Sequence, residues 1–294
     1  MMPQNSSTSA PDISVIIPMY NAESFIEKTL LTILNQEPHP FRIEIIVVDD
    51  VSTDKSRERV LSMANENIKL IALPVNGGTA NARNAGLQAA TGKWIQFVDS
   101  DDTLSQNLYK QWASVINEQY NVWTFSLISD YRNYTLEQTI THITDKRAFG
   151  HFGGVWNLFI KRELCLPFTP ISRQNEDVCF IIDMMIEKDL QIGLIPDAYY
   201  RYNRNNEHSK LANFHNDEYL DMFRYICQRI PDADKLTRMY ILEIFFSLLF
   251  DPSMPLIFRT RVALTALLKL FWYLPSVAMH QNRLAVKNKY ITHS

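Results

Sequence analysis

The sequence predicts an α/β fold built on a mostly parallel sheet flanked by helices, with a helical extension at its carboxyl end. Two observations carry that prediction. Between Ile13 and Val98 short apolar runs alternate with amphipathic segments, the strand–helix–strand order that gives parallel pairing. After about Phe214 the alternation is gone and apolar residues recur at helical spacing.

The elements follow in order. Ile13 to Ile17 is a β-branched strand ending at Pro18, and Ala22 to Gln36 is a helix by its Phe25, Ile26, Leu30, Ile33, Leu34 spacing. Ile43 to Val48 is nearly continuous and apolar, as in a strand buried on both faces. Ser52-Thr53-Asp54 reads as an N-cap cluster for a helix running to about Asn65. Ile68–Leu73, Thr79–Ala90 and Trp94–Val98 repeat the strand–helix–strand order. Ligands of such sheets bind at the carboxyl ends of the strands, which puts Pro18–Asn21, Asp49–Asp50 and Asp99–Asp102 on one rim. Beyond Leu104 the pattern weakens. Val122–Ile128 reads as a strand, Tyr131–Gly150 as polar and irregular, Asn175–Lys188 as a helix and Gln191–Tyr202 as extended. Helices over Tyr219–Arg229, Ala233–Phe250, Leu256–Tyr273 and Ser276–Lys289 follow, with breaks at Pro252 and Pro275.

The bulk numbers narrow the class of partner. In 294 residues, 46% are hydrophobic and 21% charged, an ordinary globular balance, and the net charge of −3 argues against a nucleic-acid partner. Cys165, Cys179 and Cys227 form no CxxC pair, so neither a disulfide framework nor a zinc knuckle is indicated and a reducing cytoplasm is expected. The first eleven residues are polar and read as a disordered tail rather than a signal peptide. No run of 18 apolar residues is present to span a bilayer.

Asp99-Ser-Asp-Asp102 directly follows a predicted strand. Alternate carboxylates at Asp99 and Asp101 suit one hard cation, Mg²⁺ or Mn²⁺, which also takes substrate phosphates; an acidic turn capping a helix from about Ser105 is the plainer alternative. Asp49-Asp50 makes a second acidic pair on the rim, where a cation or hydrogen-bonding ligand is expected to relieve repulsion. Asn76-Gly77-Gly78 lets the backbone approach a ligand, and Arg83 offers a fork for phosphate or a base carbonyl. No GxGxxG, P-loop, HExxH or GxSxG is present.

Taken together, Ser14–Asn21, Ile45–Asp54, Ala82–Gly86 and Phe97–Asp102 resemble the family 2 glycosyltransferases of GT-A fold. Trp156-Asn157, Glu176-Asp177 and the closing segment Tyr199–Arg204 with Ser209 continue the resemblance in order, over roughly residues 12–210. It implies a nucleotide-sugar donor, a UDP-sugar by preference, and transfer to a glycan or lipid-linked acceptor in bacterial lipooligosaccharide or capsule synthesis. Pro18, Tyr20 and Asp50 would hold the base, Arg83 the nucleotide, and Asn21, Asn76, Gly78 and Ser100 complete the donor site. Asp99 would lie near ribose and metal, Asp101 would hold the metal, and Asp177 would be the catalytic base supported by Glu176. Trp156, Asn157, Arg201 and His208 are the acceptor-side candidates. Two residues depart from the family pattern: Val51 replaces a usual Gly, and Leu158 a frequent Lys. The implied layout is a catalytic region over 12–213, with a nucleotide-sugar half at 12–103 and an acceptor half at 104–213, then a helical region over 214–294.

Pro252 to Ser294 holds six Lys or Arg and no Asp or Glu among its apolar residues. Such helices suit an anionic membrane surface, over residues 256–290, or a homodimer interface. Two further readings of the chain are a nucleotide-sugar-binding scaffold without turnover and a sugar-nucleotide nucleotidyltransferase. The latter needs a glycine-rich basic loop after the first strand, and Pro18-Met-Tyr-Asn21 is not one.

Overall fold

The computed structural model describes residues 10–129, 132–133, 154–170, 176–203 and 216–229. The chain divides into two compact units, Met1–Phe214 and His215–Ser294. In the first, the alternation seen in the sequence is β1 (Ile13–Met19), α1 (Ile26–Leu34), β2 (Ile43–Asp49), α2 (Ser56–Ser62), β3 (Ile68–Ala72), α3 (Gly78–Ala89) and β4 (Trp94–Phe97). Then come β5 (Thr103–Leu104), α4 (Leu108–Val115), β6 (Val122–Ser129), β7 (Arg132–Asn133), β8 (Leu158–Lys161), α5 (Glu176–Glu187) and β9 (Ile192–Arg201). The second unit is described by α6 (Asn216–Arg229). The three later helices expected from the sequence, the 256–290 membrane or dimer segment, and His208 lie outside the described residues.

The described strands form one sheet in the order β3-β2-β1-β4-β8-β6-β9-β5, with β7 beside β6. Its first half is parallel, as the crossover helices require. The second half is mixed: β8 runs antiparallel to both β4 and β6, and β9 antiparallel to β5, while β6 and β9 pair in parallel. Pro18 sits in a central strand without breaking a ladder on the β4 side, because the β1–β4 pairing ends at Ile16–Phe97.

Alternation along β1 and β2 loads both faces of the sheet. Val15, Ile17, Ile45 and Val47 belong to the core containing α1 and α4. There the Trp112 ring of α4 stacks on Phe159 with centroids 4.1 Å apart and meets Trp94 edge-on at 5.2 Å. Ile16, Ile46 and Val48 point to the other face, where α3 packs so closely that a Cβ on Gly86 would come within 2.3 Å of Ile16. On α5, Phe180 stacks on Phe168 at 4.2 Å, and Phe168 meets Phe97 edge-on. This second cluster places the amino end of α5 near the end of β4.

Candidate active site

The loops after β1 and β2 are stitched together by side chains. Asn21 donates its N–H to Ser52 Oγ and accepts the Thr53 N–H at 2.8 Å. The Ala22 N–H reaches Ser56 Oγ, and Asp54 accepts N–H groups from Glu23 and Ser56. Asn21, expected at the donor, therefore spends its side chain shaping the rim. Tyr20 beside it is 52% exposed, its ring available to a flat apolar partner such as a base.

Val51 takes a left-handed φ of +67°. The loop thus keeps a glycine-like backbone although a β-branched residue occupies it, which costs free energy. Val51→Gly is expected to raise stability by about 1 kcal/mol, read as a higher urea midpoint. An unchanged or lower midpoint would mean that contacts of the valine side chain offset the strain.

The two adjacent aspartates of β2 part company. Asp49 is fully buried and pairs with Arg57 Nε, while also accepting the Ser52 N–H. No shared cation is needed here: the expected repulsion is relieved by a guanidinium on one side and backbone amides on the other. Asp50 accepts N–H groups from Gly77 at 2.8 Å and Gly78 at 2.7 Å, at the amino end of α3, where a carboxylate is favoured by the helix dipole. Gly78 has φ +81°, a conformation that suits glycine. Asn76 donates to the Asp50 carbonyl, so it too fastens this loop.

Arg83, on α3, is 3% exposed. The fork expected to reach a nucleotide closes on two carboxylates instead, Nη2 to Asp99 at 2.9 Å and Nη1 to Glu176 at 3.0 Å. Its guanidinium carbon lies 5.3 Å from the centre of the Phe168 ring. A buried cation must be paired, and this one draws together residues separated by 93 positions in the chain. Glu176 and Asp177 form the first turn of α5. Asp177 is partly exposed and accepts the N–H of Val178. Burial first, then the charge of Glu176, pushes its carboxyl up to about 6, with Arg83 opposing.

The acidic turn is framed from two elements. Thr29 of α1 shares its hydroxyl between the carbonyls of Ser100 and Asp102. From β9, the Tyr200 hydroxyl accepts the Asp99 N–H and donates to Asp102, which also accepts the Asn203 N–H. Burial, then the charges of Asp99 and Asp101, pushes the Asp102 carboxyl up to about 9, while these two hydrogen bonds act in the opposite direction. Asp99 and Asp101 remain partly exposed. Among the described residues no group of three or more His, Cys, Asp or Glu could hold a metal. The oxygen donors of Asp99 and Asp101 nevertheless fit a hard cation that completes its shell with phosphate oxygens and water.

The described acceptor-side candidates, Trp156, Asn157 and Arg201, do not form one open surface. Trp156 is 7% exposed, one face on Tyr200 at 5.0 Å, so it is a core ring rather than an open platform for a sugar. Asn157 is fully buried and donates to the Phe125 carbonyl and to Thr124. Arg201 is exposed, but strand alternation turns it away from the side of Tyr200. It lines a separate groove of about 540 Å³ with Lys28, Asn107, Asp197 and Tyr199. Sequence reasoning included Tyr200 in the closing segment without giving it a role, and gave Thr29 none; alternation over Ala198–Arg201 buries Tyr200 between two more open neighbours, whereas nothing local marks Thr29.

The family model "Glycosyl transferase family 2" matches residues 14–179, more than half of the chain. The chain belongs to that family. A family relative from Haemophilus influenzae, described as an uncharacterized glycosyltransferase, is 39% identical over 186 residues, which cover 60% of this chain and 73% of that protein. The poly(ribitol-phosphate) beta-N-acetylglucosaminyltransferase TarS of Staphylococcus aureus is 26% identical over 234 residues, 75% of this chain but 41% of TarS. The chain likewise spans 62% of the length of EpsJ from Bacillus subtilis. Among solved structures, residues 1–349 of S. aureus TarS with UDP-GlcNAc superpose with a TM-score of 0.62 at 23% identity, covering 80% of this chain and 73% of that one. A Pyrobaculum calidifontis mannosyltransferase with GDP-Man and Mn²⁺ gives 0.57 at 17% identity, covering 96% of this chain and 88% of that one. These likenesses establish the glycosyltransferase fold of this family 2 chain, a mixed sheet flanked by helices.

Proposed function

We propose that this family 2 protein is an inverting, divalent-metal-dependent glycosyltransferase that moves a sugar from a UDP-sugar to a hydroxyl of a bacterial surface glycan or its lipid-linked precursor. The observation that carries the reading is the Arg83 clamp. By pairing Asp99 with Glu176 it sets the acidic turn and the partly exposed Asp177 around one buried guanidinium. TarS, whose structures hold UDP and UDP-GlcNAc, supports the nucleotide and the surface-polymer setting. The Mn²⁺ in the mannosyltransferase structure supports the metal.

In this reading Tyr20 packs on the base, and Asp50 and the α3 amino end lie beside it. Asp101, with Asp99, would hold a divalent cation that neutralises charge on the leaving diphosphate. Asp177 accepts the proton of the acceptor hydroxyl as that oxygen bonds to the anomeric carbon. The bond from the anomeric carbon to the diphosphate breaks, and the nucleoside diphosphate leaves with its electron pair. Arg83 holds Glu176 beside the base and Asp99 at the donor.

The test is nucleotide release across UDP-, GDP-, dTDP- and CMP-sugars with Mn²⁺, with and without a chelator. Release from a UDP-sugar, falling tenfold or more on chelation, is expected. Tight UDP-sugar binding with no release in the presence of glycan and lipid-linked acceptors would leave a donor-binding scaffold.

A further inference from the structure

We propose that Tyr200 is a positioning residue whose hydroxyl holds the Asp99–Asp102 turn in the shape that presents Asp101 to a divalent cation. The inference rests on the reading of that turn as the metal–diphosphate site. One phenolic oxygen touches both ends of the turn: it accepts the Asp99 N–H at 3.0 Å and donates to Asp102 Oδ2 at 2.7 Å. Asp101 lies between these anchors. Asp102 Oδ1 accepts the Asn203 N–H at 2.7 Å, just beyond β9, and Thr29 holds the carbonyls of Ser100 and Asp102 from the other side. The turn is therefore fastened at Asp99, Ser100 and Asp102, the residues on either side of Asp101.

The hydroxyl matters because the turn crowds the Asp99 and Asp101 carboxylates together and against the carboxyl of Asp102, and like charges so placed repel one another. Metal ligation tolerates displacements of only about 0.5 Å. A turn free to spread under that repulsion would hold a cation less well, even with every ligand present. The ring of Tyr200 has its own support: it is fully buried and stacks on Trp156 at 5.0 Å. Packing and positioning are thus carried by different atoms of one side chain, and Tyr200→Phe separates them. Neighbouring Arg201 makes no such bridge, because alternation sends it to the groove with Lys28 and Tyr199.

The experiment measures UDP binding to the full chain by calorimetry, with Mn²⁺ and with a chelator. In Tyr200→Phe the Mn²⁺-dependent enhancement of UDP affinity is expected to fall about tenfold, the size expected for the loss of one net hydrogen bond. UDP affinity in chelator should change less than about twofold, and the Mn²⁺ concentration for half-maximal turnover should rise while saturated turnover is kept. Tyr109→Phe is the control: it removes another buried phenol, bonded to Gln96 at 2.8 Å, and should leave the Mn²⁺ requirement unchanged. Unchanged Mn²⁺ enhancement in Tyr200→Phe overturns the inference, as does an equal loss with and without metal. If the unaltered protein shows no Mn²⁺ enhancement, the metal reading itself falls, an outcome visible before any substitution is made.

Discussion

Asp177→Asn is expected to lower turnover by about 10²–10⁴-fold, the contribution of a positioned general base, with donor binding nearly unchanged. Asparagine keeps the size and the ability to accept the Val178 N–H but takes up no proton. The pH profile makes the test sharper. Burial and the charge of Glu176 push the Asp177 carboxyl up to about 6. A base works ionised, so the rate is full above that pH and falls about tenfold per unit below it. An acid limb near pH 6 in kcat/KM, absent from Asp177→Asn, is the expected pair of results. Retained turnover with the same acid limb would remove Asp177 from the chemistry and leave Glu176-Asp177 as a helix amino-terminal pair.

Arg83→Met carries the largest expected loss of stability. Asp99 and Glu176 share this cation, and Arg83 and Glu176 are both nearly fully buried. Removing one partner of a buried pair strands its charge and costs about 3–5 kcal/mol, to be read in the urea unfolding of the 1–214 unit. Adding Glu176→Gln should recover part of the loss, because the stranded group is then neutral and the two changes are not additive. Arg83→Lys should restore little, since a point charge cannot bond Asp99 and Glu176 in the fork geometry that the guanidinium supplies. Full stability in Arg83→Met would show the two carboxylates relieved by other partners, and the clamp would not be what organises the site.

The donor half was legible in the sequence because its signals are local. Nearly continuous apolar runs at Ile13–Ile17 and Ile43–Val48 belong to strands buried on both faces, and the acidic turn follows a strand whose end is visible in the sequence. The mixed half, from β8 onward in the sheet, was harder to read. β8 is four residues, Leu158–Lys161, too short for any period to register, and β5 is two. Their pairing depends on neighbours far along the chain, with Leu158 opposite Thr124 and Thr103 opposite Arg201.

By itself the sequence placed Pro18–Asn21, the paired aspartates and the Asp99–Asp102 turn on one rim, and its family resemblance added Arg83 and Glu176-Asp177 to the candidate site. The tertiary structure alone decided how they divide their work. Asp49 and Asp50 are adjacent in sequence, yet one turns to Arg57 and the other to the amino end of α3. Arg83 could have faced a phosphate, but burial leaves its charge no solvent and commits it to Asp99 and Glu176. Tyr200 and Arg201 are neighbours that a strand sends to opposite sides. The pairings that fix Asp49, Asp50, Arg83 and Tyr200 join buried charges and hydrogen-bonding groups to partners between 8 and 101 positions away in the chain. A buried polar group must find its partner wherever the fold brings one.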